Sequence, residues 1–425
     1  MMAPMSATPD APSRAHRIRA MAGRDKHEGH RAATNLELLF DLTFVVAFSF
    51  AGNELAHAIA AGHALSGVLA FSFAMFAVVW AWINFSWFAS AFDVDDWVYR
   101  AVTMVQMVGV LILALGIPPL FRSVEEGGHI ANGVMVLGYV VMRVAMVFQW
   151  LRASRQAPTY ASTCRTYAIA IAVAQLGWVA LIVVPISVAG YVVVALILAA
   201  LEMSGPVLAE RRVPTPWHAH HIAERYGLLA IIALGEGIVG STAALSAVIE
   251  ADGWTWQTAA VGIAGVGLVF GLWWTYFTMP SAEVLHIYRN DRSFVWGYGH
   301  IALFGAIAAV GAGLHVAALQ MEQTEGEGHH HLAATTAVLA VAVPVAVFTA
   351  MIFMLYTWLM GRFDRFHLVL LAGSAVVLVL SVVLAQAGVP MPVCLLVLSL
   401  VPLVSIVGYE TVGHEHQSRA LAQLS

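Results

Sequence analysis

Cysteine is all but missing from this chain of 425 residues. The two that occur, Cys164 and Cys394, fall in different apolar runs and cannot build a disulfide framework, so they read as buried thiols. Charge is scarce as well: Asp, Glu, Lys and Arg make up 11% of the residues, against about a quarter in soluble domains. The arginines sit mostly at the ends of apolar runs and form no basic face, which with a net charge of -5 argues against a nucleic-acid partner. There is no phosphate-binding P-loop, so ATP-driven transport by this chain alone is not expected. No nucleophile elbow appears either; Gly240-Ser241-Thr242 is a hydroxyl patch without a matched base. The loops are too short for a soluble catalytic domain, and nothing calls for a cofactor. Residues 1–33 carry Pro4, Pro9, Pro12, five arginines and Lys26 but no apolar core of signal-peptide length. They read as a disordered basic tail on the cytoplasmic side.

What the chain has in abundance is apolar surface: 60% hydrophobic residues and a mean hydropathy of +0.81. The apolar runs are long enough to cross about 30 Å of hydrocarbon. They fall at 36–60, 66–90, 98–118, 130–151, 165–186, 189–208, 221–247, 254–279, 294–318, 332–359, 366–387 and 390–412. The fold expected is an all-α integral membrane protein of about twelve transmembrane helices, with the lipid bilayer as its first partner. With an even number of spans the two termini share a side. That side collects Arg152, Arg155, Arg165, Arg211, Arg212, Arg289, Arg292, Arg362, Arg365 and Arg419, and the opposite side only Arg122. Cytoplasmic loops gather such charges, so both termini are expected in the cytoplasm of a bacterial inner membrane.

The halves resemble each other faintly. Glu37 corresponds to Glu224, Trp80 and Trp82 to Trp273 and Trp274, Trp150 to Trp358, and Glu202 to Glu410. The offset grows from 187 to 208 residues, as loop insertions produce. The expected organisation is a tail over 1–33, six-helix halves over 34–208 and 221–413 joined by a linker at 209–220, and a short tail over 414–425. An even number of helices per half gives parallel repeats about an axis along the membrane normal.

Ionisable groups inside apolar runs are costly and mark candidate sites. At about 100° per residue, Arg225 lies within about 20° of Glu236 and His221 within about 60°, so one stripe of the seventh run carries all three. Glu37 and Asp41 share a face of the first run. Arg100, Arg143 and Arg225 are the cations available to such acids. The proton or substrate pathway is therefore sought among Glu37, Asp41, Arg100, Arg143, His221, Glu224, Arg225, Glu236 and His300. Two readings of Glu236 stand: a neutral, hydrogen-bonded core residue, or a carboxyl that exchanges protons or faces a solute. Gly235, Gly237 and Gly240 beside it let a neighbour approach closely. Glu37 and Asp41 either lock helices together or belong to a proton or cation path. Trp82, Trp87, Trp273, Trp274 and Tyr276 either anchor the helices at the interface or wall a pocket. Asp93, Asp95 and Asp96 either cap the next helix or hold a hard cation. The histidine clusters at 27–30, 218–221, 329–331 and 414–416 lie on both faces and point to weak metal binding rather than a metal site.

Several motifs occur in order: Glu37 to Phe44, Trp87 to Arg100, His221 to Gly227 with Leu234-Gly235-Glu236, Trp273 to Phe277, and Tyr298-Gly299-His300. In these the chain resembles the bacterial low temperature requirement protein A (LtrA) family, over about residues 34–315. The resemblance implies a multi-pass inner-membrane protein linked by name to growth in the cold, and brings no reaction with it. The major facilitator proteins share the twelve-helix plan, but their glycine- and arginine-rich loop is replaced here by Phe92 to Trp97. The function expected from the residues is a secondary transporter or permease for a small solute or ion, with no catalytic residues and a possible homo-oligomer. A lipid-modifying membrane enzyme and a cold-adaptation sensor or scaffold are the alternatives.

Overall fold

The computed structural model describes residues 18–25, 28, 31–127, 130–184, 186–287, 292–322 and 332–423. Among them twelve helices are long and apolar enough to cross a membrane, and no strand occurs. These are α1 (Asn35–Ala60), α2 (Ala64–Phe92), α3 (Trp97–Glu125), α4 (Gly133–Gln156), α5 (Pro158–Val183), α6 (Val188–Ala209), α7 (Ala219–Glu250), α8 (Trp256–Ile287), α9 (Ser293–Glu322), α10 (Ala334–Met360), α11 (Arg365–Gln386) and α12 (Met391–Ala422). The twelve apolar runs of the sequence are these twelve helices.

Local chemistry fixes their ends. Thr34 and Glu37 form a capping box that starts α1, and Asp96 accepts the Tyr99 N–H to start α3. Gly116, Pro118 and Pro119 break α3 after Leu115. α10 ends on Gly361 with φ 65°, in the left-handed region. α12 continues through a π turn at Tyr409–Gly413 to Ala422, past the expected end at residue 412.

α1, α7 and α9 form the middle of the bundle. α7 and α9 cross where Gly240 meets the backbone of Gly311, and Gly311 meets Glu236; a Cβ on Gly311 would lie 2.5 Å from the Glu236 carbonyl. α3 and α4 pack just as closely through Gly109 and Gly138. Small residues do this work in a membrane, where close van der Waals contact replaces the hydrophobic effect between helices. α6 and α11 present exposed apolar faces, including Leu196, Ile197, Val376 and Val379, as lipid-facing helices do.

Of the segment 1–33, expected as a tail, residues 1–17, 26–27 and 29–30 lie outside the described residues, and 18–25, 28 and 31–33 run against the helices. Arg19 N–H donates to Asp96, Met21 N–H to Gln156, and Arg24 N–H to the Ala91 carbonyl. The segment is held because it supplies donors to the end of α2, where carbonyls lack helical partners. His27, His30, Arg289 and His329 to His331 lie outside the described residues.

Candidate functional site

The capping box aims Glu37: its Oε2 accepts the Thr34 N–H at 2.8 Å, and its other oxygen turns toward α7. Asp41 follows one turn later. α7 offers His221 and Arg225, also one turn apart, and the two pairs interlock. Glu37 Oε1 lies 3.0 Å from Arg225 Nη1 and 3.1 Å from His221 Nε2. Arg225 clasps Asp41 with Nη2 at 2.6 Å from Oδ1 and Nε at 3.2 Å from Oδ2, and the Trp82 indole donates to Oδ1 at 2.6 Å. All four ionisable side chains are wholly buried. Such a fork supplies directed, charge-assisted bonds where isolated charges could not survive.

Arg31 completes the cluster from outside the helices. It donates to the carbonyls of Ser90 at 2.6 Å and Ala89 at 3.2 Å, and stands 3.6 Å from Asp93 and 3.8 Å from Glu37. Two guanidinium groups thus face three carboxylates, Glu37, Asp41 and Asp93, leaving the cluster one positive charge short when His221 is neutral. Asp93, at the end of α2, is pushed up to about 6 by burial and then by the Glu37 charge, against the Asp95 N–H and Arg31.

Glu236 occupies a second, deeper station. Eleven residues beyond Arg225, it lies about 16 Å farther along the helix. The common stripe expected for His221, Arg225 and Glu236 is thereby divided into two stations on the same α1–α7 seam. Ser49 of α1 donates to Glu236 Oε1 at 2.6 Å, and Oε2 faces Gly52. The side chain is 7% exposed, and among the described residues no Lys, Arg or His stands within ion-pair distance of it.

Arg143 lies apart from both stations. It pairs with Glu202 of α6 at 3.5 Å and bonds the Tyr139 hydroxyl, which donates to Glu202 Oε2 at 2.6 Å. This group borders a small chamber between α2, α4, α5 and α6. Trp87 lines its outer part, while the Trp87 indole donates to Tyr226 at 3.0 Å. Tyr226 meets Trp82 edge to face at 4.9 Å, and Trp82 bonds Asp41. A chain of four side chains therefore joins chamber and seam.

The remaining candidates take simpler places. Arg100 is exposed and pairs with Asp95 at 2.7 Å. Glu224 accepts the Ala33 N–H at 3.3 Å. His300 is buried, with Nδ1 2.7 Å from the Trp296 carbonyl and Nε2 3.2 Å from the Tyr276 hydroxyl. Trp273 and Trp274 are 38% and 37% exposed on α8, as interfacial anchors are. Asp93, Asp95 and Asp96 do not converge: their partners are Arg31, Arg100 and Arg152, and Asp96 also caps α3. Among the described residues no group of three His, Cys, Asp or Glu could hold a metal. Sequence reasoning missed Arg31, which lies in an extended segment without periodicity, and undervalued Glu202, whose place in an apolar run was signal enough.

Fold and charged seam together define a multi-pass membrane protein with buried ionisable groups between its central helices. The chain belongs to the family of the bacterial low temperature requirement A protein (LtrA), whose model matches residues 32–402. It is also similar to an uncharacterized protein of Rhizobium meliloti (strain 1021), 24% identical over 306 residues that cover 68% of this chain and 70% of the relative. No solved structure gives a significant match.

Proposed function

We propose that this protein is a secondary transporter for a small solute, coupling its movement to protons or cations through carboxylates on the α1–α7 seam. The observation that carries the reading is Glu236: a carboxyl at mid-span, bonded to one hydroxyl and, among the described residues, facing no cation. A group so placed gains or loses a proton, or a counter-ion, when the seam opens, and intramembrane acids of this kind mark ion and proton paths. The seam cluster supports the same reading, since breaking its ion pairs releases two acids and an imidazole to whichever side opens. In this reading the inner membrane is the site of action and both termini are cytoplasmic.

The proposal takes 34–208 and 221–413 as two parallel halves rocking about the seam. One fact supports it. Glu37 and Glu224 are 187 residues apart, and so are Ser49 and Glu236, which touch. The enzyme alternative loses its motive, because each of the three clustered aspartates is engaged by its own arginine. The test is acidification of liposomes containing the purified protein under an imposed pH gradient, with and without candidate solutes.

A further inference from the structure

We propose that the chamber between α2, α4, α5, α6 and α9 binds a compact zwitterion, a solute with a carboxylate and an ammonium a few ångströms apart, as in a small amino acid. The deep end carries the recognition chemistry. Arg143 and Glu202 are 2% and 5% exposed, yet Arg143 Nε and Glu202 Oε1 have no hydrogen-bond partner. The pair's own contact is loose, at 3.5 Å, and the Trp178 and Trp80 indoles are the other donors directed at Glu202. A buried donor or acceptor left unmade costs about 1–3 kcal/mol, and more for a charged group. Here the two side chains that carry them line the same cavity. A carboxylate satisfies the Arg143 Nε–H, and an ammonium satisfies Glu202 Oε1.

The rest of the chamber suits such a molecule. The deep cavity, about 10 Å³, shares Trp80, Asn84, Tyr167 and Pro206 with an outer one of about 30 Å³. At roughly 10–15 Å³ per water, the two cavities together have room for about three waters, so the occupant is small and must span both. Trp80, Trp87, Trp150, Tyr167 and Tyr298 line the outer cavity with aromatic rings, a wall that suits an ammonium and a short apolar group. The outer cavity reaches Trp217 and Ser293, at the arginine-bearing ends of the helices. The second half has a cavity of about 40 Å³ in the matching place, between α8, α10, α11 and α12, but not this ion pair. The residue 208 positions after Arg143 is Met351, and Glu410, which corresponds to Glu202, is exposed. The charged pair, rather than the cavity, is thus particular to the first half.

Calling the occupant a transported substrate rests on the carrier reading; binding does not, and the experiment separates the two. Thermal unfolding of the full-length protein in detergent is measured with glycine, with alanine, and with sodium acetate and methylammonium chloride. Glycine or alanine should raise the unfolding temperature saturably, and acetate or methylammonium alone should not. Arg143→Gln and Glu202→Gln should weaken binding at least tenfold. Because either can impair folding, Asn84→Leu provides a second arm: it blocks the junction of the two cavities without touching the ion pair and should abolish the shift. No shift with either amino acid, or an equal shift in Asn84→Leu, overturns the proposal. Glycine binding without uptake into liposomes would remove the carrier reading and leave the chamber. Uptake undiminished in Asn84→Leu would remove the chamber and leave the carrier.

Discussion

Ser49 and Glu236 meet across the seam at 2.6 Å, joined by a hydrogen bond between residues 187 positions apart. The heads of the same two helices meet at nearly the same spacing, 184 residues separating both His221 from Glu37 and Arg225 from Asp41. α1 and α7 therefore run side by side in constant register. Every charged contact of the seam follows from that register, and it sets which substitutions should matter.

Arg225 is shared by two acids, so its loss should be more costly than the loss of either. Arg225→Gln leaves Glu37 with His221, the Thr34 N–H and Arg31 at 3.8 Å, and leaves Asp41 buried with the Trp82 indole as its remaining donor. Removing one partner of a buried pair costs about 3–5 kcal/mol. A large fall in unfolding temperature is expected, partly restored by adding Asp41→Asn. Equal stability of Arg225→Gln and the parent protein would mean the cluster contributes little to holding α1 against α7.

Gly311 and Gly235 provide a contrast within the same packing layer. A Cβ at Gly311 meets the Glu236 backbone, whereas at Gly235 nothing lies within 4 Å. Gly311→Ala should destabilise by about 1–3 kcal/mol through overpacking. Gly235→Ala should be neutral or slightly stabilising, since alanine is the better helix former. Unfolding of the two variants in detergent reads the difference, and equal behaviour would contradict the close α7–α9 crossing.

Asp93 gives the protein a pH dependence of definite sign. Its folded value, about 6, lies above the ordinary aspartate value of 3.8, so the folded state holds this proton more tightly. The stability it contributes is full below pH 4 and is lost as pH rises through 6, by at most about 3 kcal/mol. Asp93→Asn should flatten the change in unfolding temperature between pH 4.5 and 7. A parent protein that gains stability over that interval, with Asp93→Asn behaving the same, would count against the proton-short cluster.

Much of this was legible in the residues. The twelve apolar runs survive folding because each must satisfy its backbone within one helix, which leaves hydropathy little room to mislead. The pairing of Glu37 and Asp41 with His221 and Arg225 was half visible, as two carboxylates and two bases each one turn apart. The eleven residues between Arg225 and Glu236 already put them about 16 Å apart in depth; that Asp41 takes Arg225 while only Ser49 meets Glu236 depends on the partner helix. Trp273 and Trp274 could have lined a pocket or faced lipid, because aromatic belts and aromatic cavities draw on the same side chains. The meeting of Arg143 with Glu202 depends on which non-consecutive helices touch, and no periodicity encodes that.

Proton movement through the seam is read most directly by Glu236→Gln, which keeps the shape of the side chain and can still accept the Ser49 hydrogen bond. The parent protein and the variant are placed in liposomes enclosing a pH-sensitive dye, and an inward proton gradient is imposed with the solute present. Acidification by the parent and its loss in a folded Glu236→Gln is the expected result. Equal acidification by both, or none by the parent with every solute tried, would contradict a coupling role for Glu236.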